Sequence, residues 1–363
     1  MIFPEVLGQE RARAVLARML SSGRLPHALL FHGPEGVGKG LVARLFASSL
    51  VCTQPAEDAT ACGVCPACRK ASHGNHPDIL VVTRLPKKEI RDDGDVADPD
   101  ADDGDDAPAA KGGDLRPFII VQQIRALSEH AAYPPREARR RVFLVEPADR
   151  MHAESQNALL KTLEEPAGHA IIVLVASRPH VLLPTVRSRC FQIGFGGMPP
   201  DELARGLATR GVAPQEARAR AALAEGRPGR AISLDLPALA ARRDGLLTAL
   251  EALAASSRAA SDLTEHAEQI LGEGEADLLE GIDLVMALLR DAARVASGRG
   301  AILHADVAPR IERLGRALGA ERAAEIVALA DRLRADLRLN LNKALLAETL
   351  LAAVAGGPVP AFA

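Results

Sequence analysis

The chain has 363 residues, enough for two or three domains, and its 48% hydrophobic and 25% charged content is that of a folded globular protein. With no Trp, one Tyr and eight Phe, it lacks the aromatic platforms on which proteins stack unpaired bases. The net charge of -3 hides nine aspartates and no base within residues 92–106, so the remainder is mildly basic, which permits a nucleic-acid partner without establishing one.

The opening stretch, MIFPEVLGQERARAV, lacks the basic-then-apolar order of a signal peptide, and the longest apolar run, 170–176, is far too short to cross a bilayer. A cytoplasmic location with no membrane partner is expected. HALLFHG (27–33) reads as a short apolar strand that runs into GPEGVGKG (33–40). That octet meets the phosphate-loop consensus G-x-x-x-x-G-K-[ST] at Gly33, Gly38 and Lys39 and fails it at Gly40. KGLVARLFASSLVC (39–52) then reads as a helix, with Leu41, Leu45, Phe46 and Leu50 at helical spacing.

Cys52, Cys62, Cys65 and Cys68 follow in the spacing C-x9-C-x2-C-x2-C. Structural disulfides are disfavoured in the cytosol, and four thiolates at this spacing suit a tetrahedral, structural zinc with no open position for catalysis. His73 and His76 lie just downstream and read as turn residues before the strand DILVV (78–82). Residues 89–114 are acidic, poor in apolar side chains and rich in Gly, Pro and Ala, the composition of a disordered surface insertion.

IIVQQIRALSEHA (119–131) starts extended and turns helical, and RRVFLVEPAD (140–149) is a buried strand. ESQNALLKTLEEP (154–166) is a helix stopped by Pro166, with Leu159, Leu160 and Leu163 toward the core. Its polar residues, Gln156, Asn157 and Lys161, are placed to meet nucleic-acid phosphates. AIIVLVAS (170–177) is a further buried strand. Continuous β-branched runs separated by helices indicate a parallel sheet covered on both faces. Beyond 194–203 the strand signals cease and the chain reads helical, broken once by EGRPGRAISL (225–234). The expected organisation is an α/β domain at 1–197 with a zinc module at 52–68, a helical domain at 198–237 and a helical bundle at 238–363.

A working phosphate loop cradles phosphate with backbone N–H groups, reaches it with Lys and holds Mg²⁺ through a Ser/Thr hydroxyl. Gly33, Gly36, Gly38 and Lys39 are present for the first two tasks, and Gly40 offers no hydroxyl for the third. The other half of such a site is a strand ending in acids, one for metal and one to activate water. VFLVEPAD supplies Glu146 in the first place and Pro147, which cannot be a base, in the second. Two losses in the two halves of one site argue against hydrolysis. Nucleotide binding stays open, because a cradle of N–H groups needs no hydroxyl.

HALLFHGPEGVGKG, the cysteine module, VFLVEPADRMHAESQNALLKTLEEP and LLPTVRSRC together resemble a clamp-loader subunit of the AAA+ class, in the delta-prime branch of the bacterial DNA polymerase III subunits. The resemblance covers residues 3–234 by motif and the rest by helical pattern, and NALLKTLEEP followed by SRC is its specific part. It implies a RecA-like AAA+ module with a zinc insertion, a helical lid and a C-terminal collar bundle. It also implies a subunit that does not hydrolyse ATP but works with gamma/tau and delta subunits to load a sliding clamp onto primed DNA. By position, the resemblance makes Arg189 an arginine finger acting in trans, Arg230 a lid arginine sensing phosphate in cis, and Ser177 the second sensor. The alternative within the family is an active motor of gamma/tau type, against which Gly40 and Pro147 both speak. A zinc-dependent DNA-binding regulator has little support, since no basic recognition helix flanks the cysteines. The acidic insertion departs from the family pattern.

Overall fold

Apolar, β-branched runs make the strands: β1 (Ala28–His32), β2 (Ile79–Val82), β3 (Arg141–Val145), β4 (Ala170–Ala176) and β5 (Phe191–Gly194). All pair in parallel, in the order β2-β3-β4-β1-β5. The computed structural model describes residues 3–86, 115–255, 267–272, 274–298, 302–337 and 342–357, so the insertion anticipated at 89–114 lies outside the described residues. The chain packs as two compact units, Met1–Leu234 and Asp235–Ala363.

Side chains alternate across each strand, and both faces of the sheet are buried, as the continuous apolar runs require. Leu29, Phe31, Leu144 and Val173 face one layer with α1 (Glu10–Ser22) and α2 (Lys39–Val51). Leu30, Phe143, Ile172 and Leu174 face the other, which contains α4 (Val121–Ala132) and α5 (Ala153–Glu164). A short helix, α3 (Pro66–Ser72), is capped by Cys65 and carries Cys68, and α6 (Pro184–Arg187) leads into β5. This is the parallel α/β architecture, covered on both faces, expected from the alternation of strand and helix signals.

Helices α7 (Pro200–Ala208), α8 (Pro214–Leu223) and α9 (Pro228–Ser233) gather their own small core of Met198, Leu203, Leu207, Ala217, Ala221 and Ala231. In the second unit, α10 (Leu236–Ala255), α11 (Ala267–Leu271), α12 (Glu275–Ala296), α13 (Ala308–Leu318), α14 (Ala320–Asp336) and α15 (Lys343–Val354) enclose an apolar core centred on Leu250, Ile282, Leu289, Ile326 and Leu350. Buried Asp291 ties that bundle to the turn before α13, accepting from the Leu303 and His304 amides and from His304 Nδ1. No helix among the described residues is long and apolar enough to cross a membrane.

Two readings of the sequence need correction, and one element was missed. Helix α1 was not anticipated, and its buried stripe includes Arg13 beside Ala12, Leu16 and Met19. In α2 the glycine-rich loop sets the helical phase so that Val42, Ala43, Phe46 and Ala47 turn inward, while Leu41 is exposed. Gln156 does not face solvent. It is buried, donates to the carbonyls of Met151 and Val181, and accepts from the Leu183 amide at 2.6 Å. Asn157 and Lys161 do lie on the exposed face of α5.

One buried carboxylate organises the approach to β3. Asp78 accepts from the amides of Arg136, Glu137 and Ala138 at 2.6, 2.7 and 2.8 Å. Burial alone pushes its carboxyl up, and these three bonds outweigh it, holding the carboxyl below the usual carboxylate range. Asp78→Ala strands three donors and should cost about 2–4 kcal/mol in thermal unfolding. A depressed folded value means a contribution present above the unfolded carboxylate value and lost as pH falls. The gap between wild type and variant should therefore shrink below about pH 4. A constant gap down to pH 2–3 would remove the carboxylate from this account.

Candidate functional site

In a parallel sheet every strand delivers its C-terminal end to the same edge. Because β3, β4 and β1 are neighbours, Glu146 after β3, Ser177 after β4 and the glycine-rich loop after β1 meet side by side. The loop turns through positive φ at Gly36 and Gly38, and α2 begins at Lys39. Gly33 starts it against Phe195, whose carbonyl lies where a Cβ would go. Gln9, ahead of α1, braces the loop by donating to the carbonyls of Val37 and Gly196.

The ammonium of Lys39 is buried within this edge, and its three donors are all engaged. They reach the carbonyls of Gly33 and Pro34 at 2.8 and 2.7 Å and Ser177 Oγ at 3.2 Å. Desolvation lowers its pKa, partly offset by the charges of Glu35, Asp149 and Glu146. Asp149 itself is committed elsewhere: it accepts from the Ser177 amide and is ion-paired with Arg178 at 3.1 Å.

At Gly40 the missing hydroxyl has a steric counterpart. A Cβ there would lie 2.1 Å from Glu146 Oε1 and 2.9 Å from Arg44 Nη1. Glu146 and Arg44 form an ion pair of 2.8 Å directly beside the start of α2. Arg44 is one helical turn beyond Gly40, and a helical side chain leans back toward the preceding turn, so its guanidinium reaches the space next to Gly40. The residues present therefore do not suit a loop-bound Mg²⁺: there is no hydroxyl ligand, and the one carboxylate is held by a cation of the chain's own.

The loop is also roofed. The Gly229 amide donates to the Gly36 carbonyl at 2.7 Å, which places the start of α9, and with it the Arg230 backbone, against Gly36. The Arg230 side chain turns toward Glu225, at 3.9 Å. Gly33, Gly36, Gly38, Lys39, Ser177 and Arg230 are thus brought together.

Arg189 is not among them. It follows α6 just before β5 begins, at the opposite, N-terminal edge of the sheet. There it is tied to Glu164 at the end of α5 by an ion pair of 2.5 Å and donates to the Thr185 carbonyl at 2.9 Å. Neighbouring Cys190 is buried, and desolvation pushes its thiol up to about 12, which makes it inert.

The four cysteines form a second cluster. Their sulfurs all lie within 4.8 Å of one another, with Cys52–Cys65 and Cys62–Cys68 at 3.9 Å. Metal–sulfur bonds of ~2.3 Å in a tetrahedron require sulfurs ~3.8 Å apart, so the set can hold a metal ion. The amides of Cys62, Cys65 and Cys68 each donate to a cluster sulfur at 3.4 Å. Burial works against the Cys65 thiolate, but hydrogen bonds from Thr53 and the Cys68 amide outweigh it and hold the thiol down to about 5. Burial, reinforced by the adjacent sulfurs, pushes Cys68 up to about 12. His76 stays out of the cluster and accepts the Asp78 amide at Nδ1, the turn role expected of it.

The sequence did not single out Gln9, Arg44, Asp149, Glu164 or Arg178. The one signal available was Arg44 standing four residues after the aberrant Gly40.

A family model described as DNA polymerase III, delta subunit, matches residues 8–199. The chain is 37% identical over 198 residues to the DNA polymerase III subunit gamma/tau of Mycobacterium tuberculosis, covering 54% of this chain and 29% of that protein. It is 36% identical over 167 residues to the delta' subunit of Pseudomonas aeruginosa, covering 46% of this chain and 42% of the relative. The match thus spans less than half the length of either relative. A gamma subunit-related protein of Thermotoga maritima aligns over 94% of this chain and 98% of its own at 16% identity and a TM-score of 0.39.

Restoring the consensus hydroxyl should not restore a working loop. Gly40→Ser puts a Cβ at the Glu146 carboxylate, and because Glu146 and Arg44 meet it with the ends of flexible side chains that can swing aside, stability should change by less than about 1 kcal/mol. It should also leave ATP turnover of the isolated chain at background. Turnover by this variant that Lys39→Ala abolishes would show that the ion pair is no obstacle.

Proposed function

Because the chain belongs to the DNA polymerase III delta-subunit family, we propose that it is a non-hydrolysing clamp-loader subunit of delta-prime type, which lends Arg189 to an ATP site on a neighbouring gamma/tau subunit. One observation carries this reading: the cis site has its metal position filled by Arg44 and Glu146, while Arg189 stands at the other edge of the sheet, out of reach of its own phosphate loop. An arginine so placed cannot serve its own loop, and its partly exposed guanidinium is within reach of another molecule.

On this reading the chain joins gamma/tau and delta subunits in the cytoplasm and assists ATP-dependent loading of a sliding clamp onto primed DNA. Residues 198–237 act as the lid over the loop, with Arg230 and Ser177 retained from a sensing role, and residues 238–363 form the collar. Glu164 parks the guanidinium of Arg189 until a phosphate of higher charge takes its place. A planar guanidinium stabilises the charge that spreads over a transferring phosphoryl group in a way that lysine does not match. The identity to gamma/tau subunits favours the alternative, an active motor, but the ion pair at Gly40 and the proline at 147 leave it neither metal ligand nor base.

The cysteine cluster is proposed as a structural zinc site. Zinc would compensate four thiolates that cannot all ionise side by side, and would tie the 52–68 segment to the end of α2. Protein purified without chelator should carry about one zinc per chain, and Cys65→Ser should lose it and unfold at lower temperature. Full zinc retention by that variant in metal analysis would overturn the four-cysteine assignment.

Arg189→Ala should assemble normally with gamma/tau and delta subunits, because the side chain contributes little buried contact. Removing an arginine finger costs on the order of a thousandfold at the site it serves. The bulk DNA-stimulated ATPase of a complex with several sites should fall by less, and clamp loading should fall with it. Normal loading by a fully assembled variant complex would refute the trans role.

A further inference from the structure

Lys39 and Arg44, two cations of the phosphate-loop edge, have different partners. Arg44 has Glu146 at 2.8 Å. Lys39, only 5% exposed, has no carboxylate in ion-pair range among the described residues; its partners are two carbonyls and a hydroxyl, all uncharged. The carboxylates of Glu35, Asp149 and Glu146 act on it only from beyond ion-pair distance, so a buried ammonium here is incompletely compensated and favours an anion brought into contact. Around it, the amides of residues 36–40 donate to no acceptor among the described residues, and they stand at the start of the 13-residue helix α2, where the helix dipole favours an anion.

We infer that this loop binds the phosphates of a nucleotide without a divalent cation, with Arg44 standing where the metal would stand. The inference rests on the reading of residues 33–40 as a phosphate loop, and is independent of the assembly role of Arg189. In a metal-dependent site, Mg²⁺ cancels both the strand-end acid and part of the phosphate charge. Here the acid is already cancelled. Without Arg44, the Glu146 carboxylate would face an incoming phosphate across the space beside Gly40 and repel it. With Arg44 in place the repulsion is gone, and the half-exposed guanidinium keeps N–H groups free to face the ligand. A magnesium ion would have to break this pair and would then find one carboxylate and no hydroxyl. It therefore adds nothing to the affinity.

Titration of the full chain with a fluorescent ADP tests this. Buffer stripped of divalent ions over a chelating resin, rather than by a soluble chelator, keeps the cysteine cluster loaded. The dissociation constant should agree within about threefold with and without added magnesium, and Lys39→Ala should weaken binding by at least about tenfold. Arg44→Ala should weaken binding in the stripped buffer by about tenfold and regain part of it on adding magnesium, because Glu146 is then free. Arg44 is more than half exposed, so folding of the variant is not at risk, and a melting curve confirms it. Magnesium tightening wild-type binding more than about tenfold overturns the inference, as does failure to bind in both buffers or an Arg44→Ala variant indistinguishable from wild type. Assembly with partner subunits, read separately by co-purification, is untouched by any of these results, so the failure of one reading is not the failure of the other.

Discussion

All five strands run the same way, and that constraint decides where chemistry can sit. A parallel sheet has one edge where loops leave strands and another where they enter. The phosphate loop, Glu146 and Ser177 share the first edge because β1, β3 and β4 end there. Arg189 belongs to the second because it stands just before β5. The two edges are joined by α5. Gln156 near its start holds the backbone of residues 181–183, which leads to Arg189, and Glu164 at its end holds the guanidinium itself. The helix thus contacts the segment that carries Arg189 at both of its ends.

At the first edge the electrostatics have been rebuilt around cations that the chain supplies. The Arg44–Glu146 pair is partly solvated and adds little stability, on the order of 0–1 kcal/mol. Its importance lies in occupancy: it takes the volume and the carboxylate that a metal would need. Asp149, the other acid at the end of β3, is consumed by Ser177 and Arg178, so it cannot polarise a water. What survives is the part of a phosphate site that depends on backbone and on one lysine. Backbone amides are lost only on substitution by proline, and the glycines that expose them, Gly33, Gly36 and Gly38, are in place.

The sheet was legible because four of its five strands are continuous apolar runs, which have no competing explanation between turn signals. β5 was not, since three of its four residues are exposed and an edge strand lacks the buried pattern. Helix α1 escaped for a related reason: Arg13 is buried within its inner stripe and interrupts the periodicity. In the site, residues fixed by spacing were readable, the loop glycines and Lys39 and the four cysteines above all. Residues whose role depends on a partner distant in sequence were not. Arg44 on an exposed helical face is indistinguishable from a solvated arginine until Glu146, about a hundred residues later, is placed against it. Gln156 shows the opposite error. A polar side chain on an amphipathic helix reads as surface, yet the backbone groups of 181–183 needed a partner and took it.

Gly40 is better understood as a consequence of the altered site than as its cause. With Glu146 and Arg44 where they stand, a side chain at 40 would meet the Glu146 carboxylate at 2.1 Å and push the pair aside, whereas glycine leaves it in place despite its cost at a helix start. A consensus hydrolytic site here would need a hydroxyl at 40, release of Glu146 from Arg44 and an acid in place of Pro147. None of the three helps alone. The hydroxyl collides, a freed Glu146 repels phosphate, and an acid at 147 has no metal beside it. Residues in direct contact couple in this way, so their effects do not add. On the proposed reading, a site in that condition is stable against drifting back, and the arginine at the far edge of the sheet carries the chain's part in the chemistry.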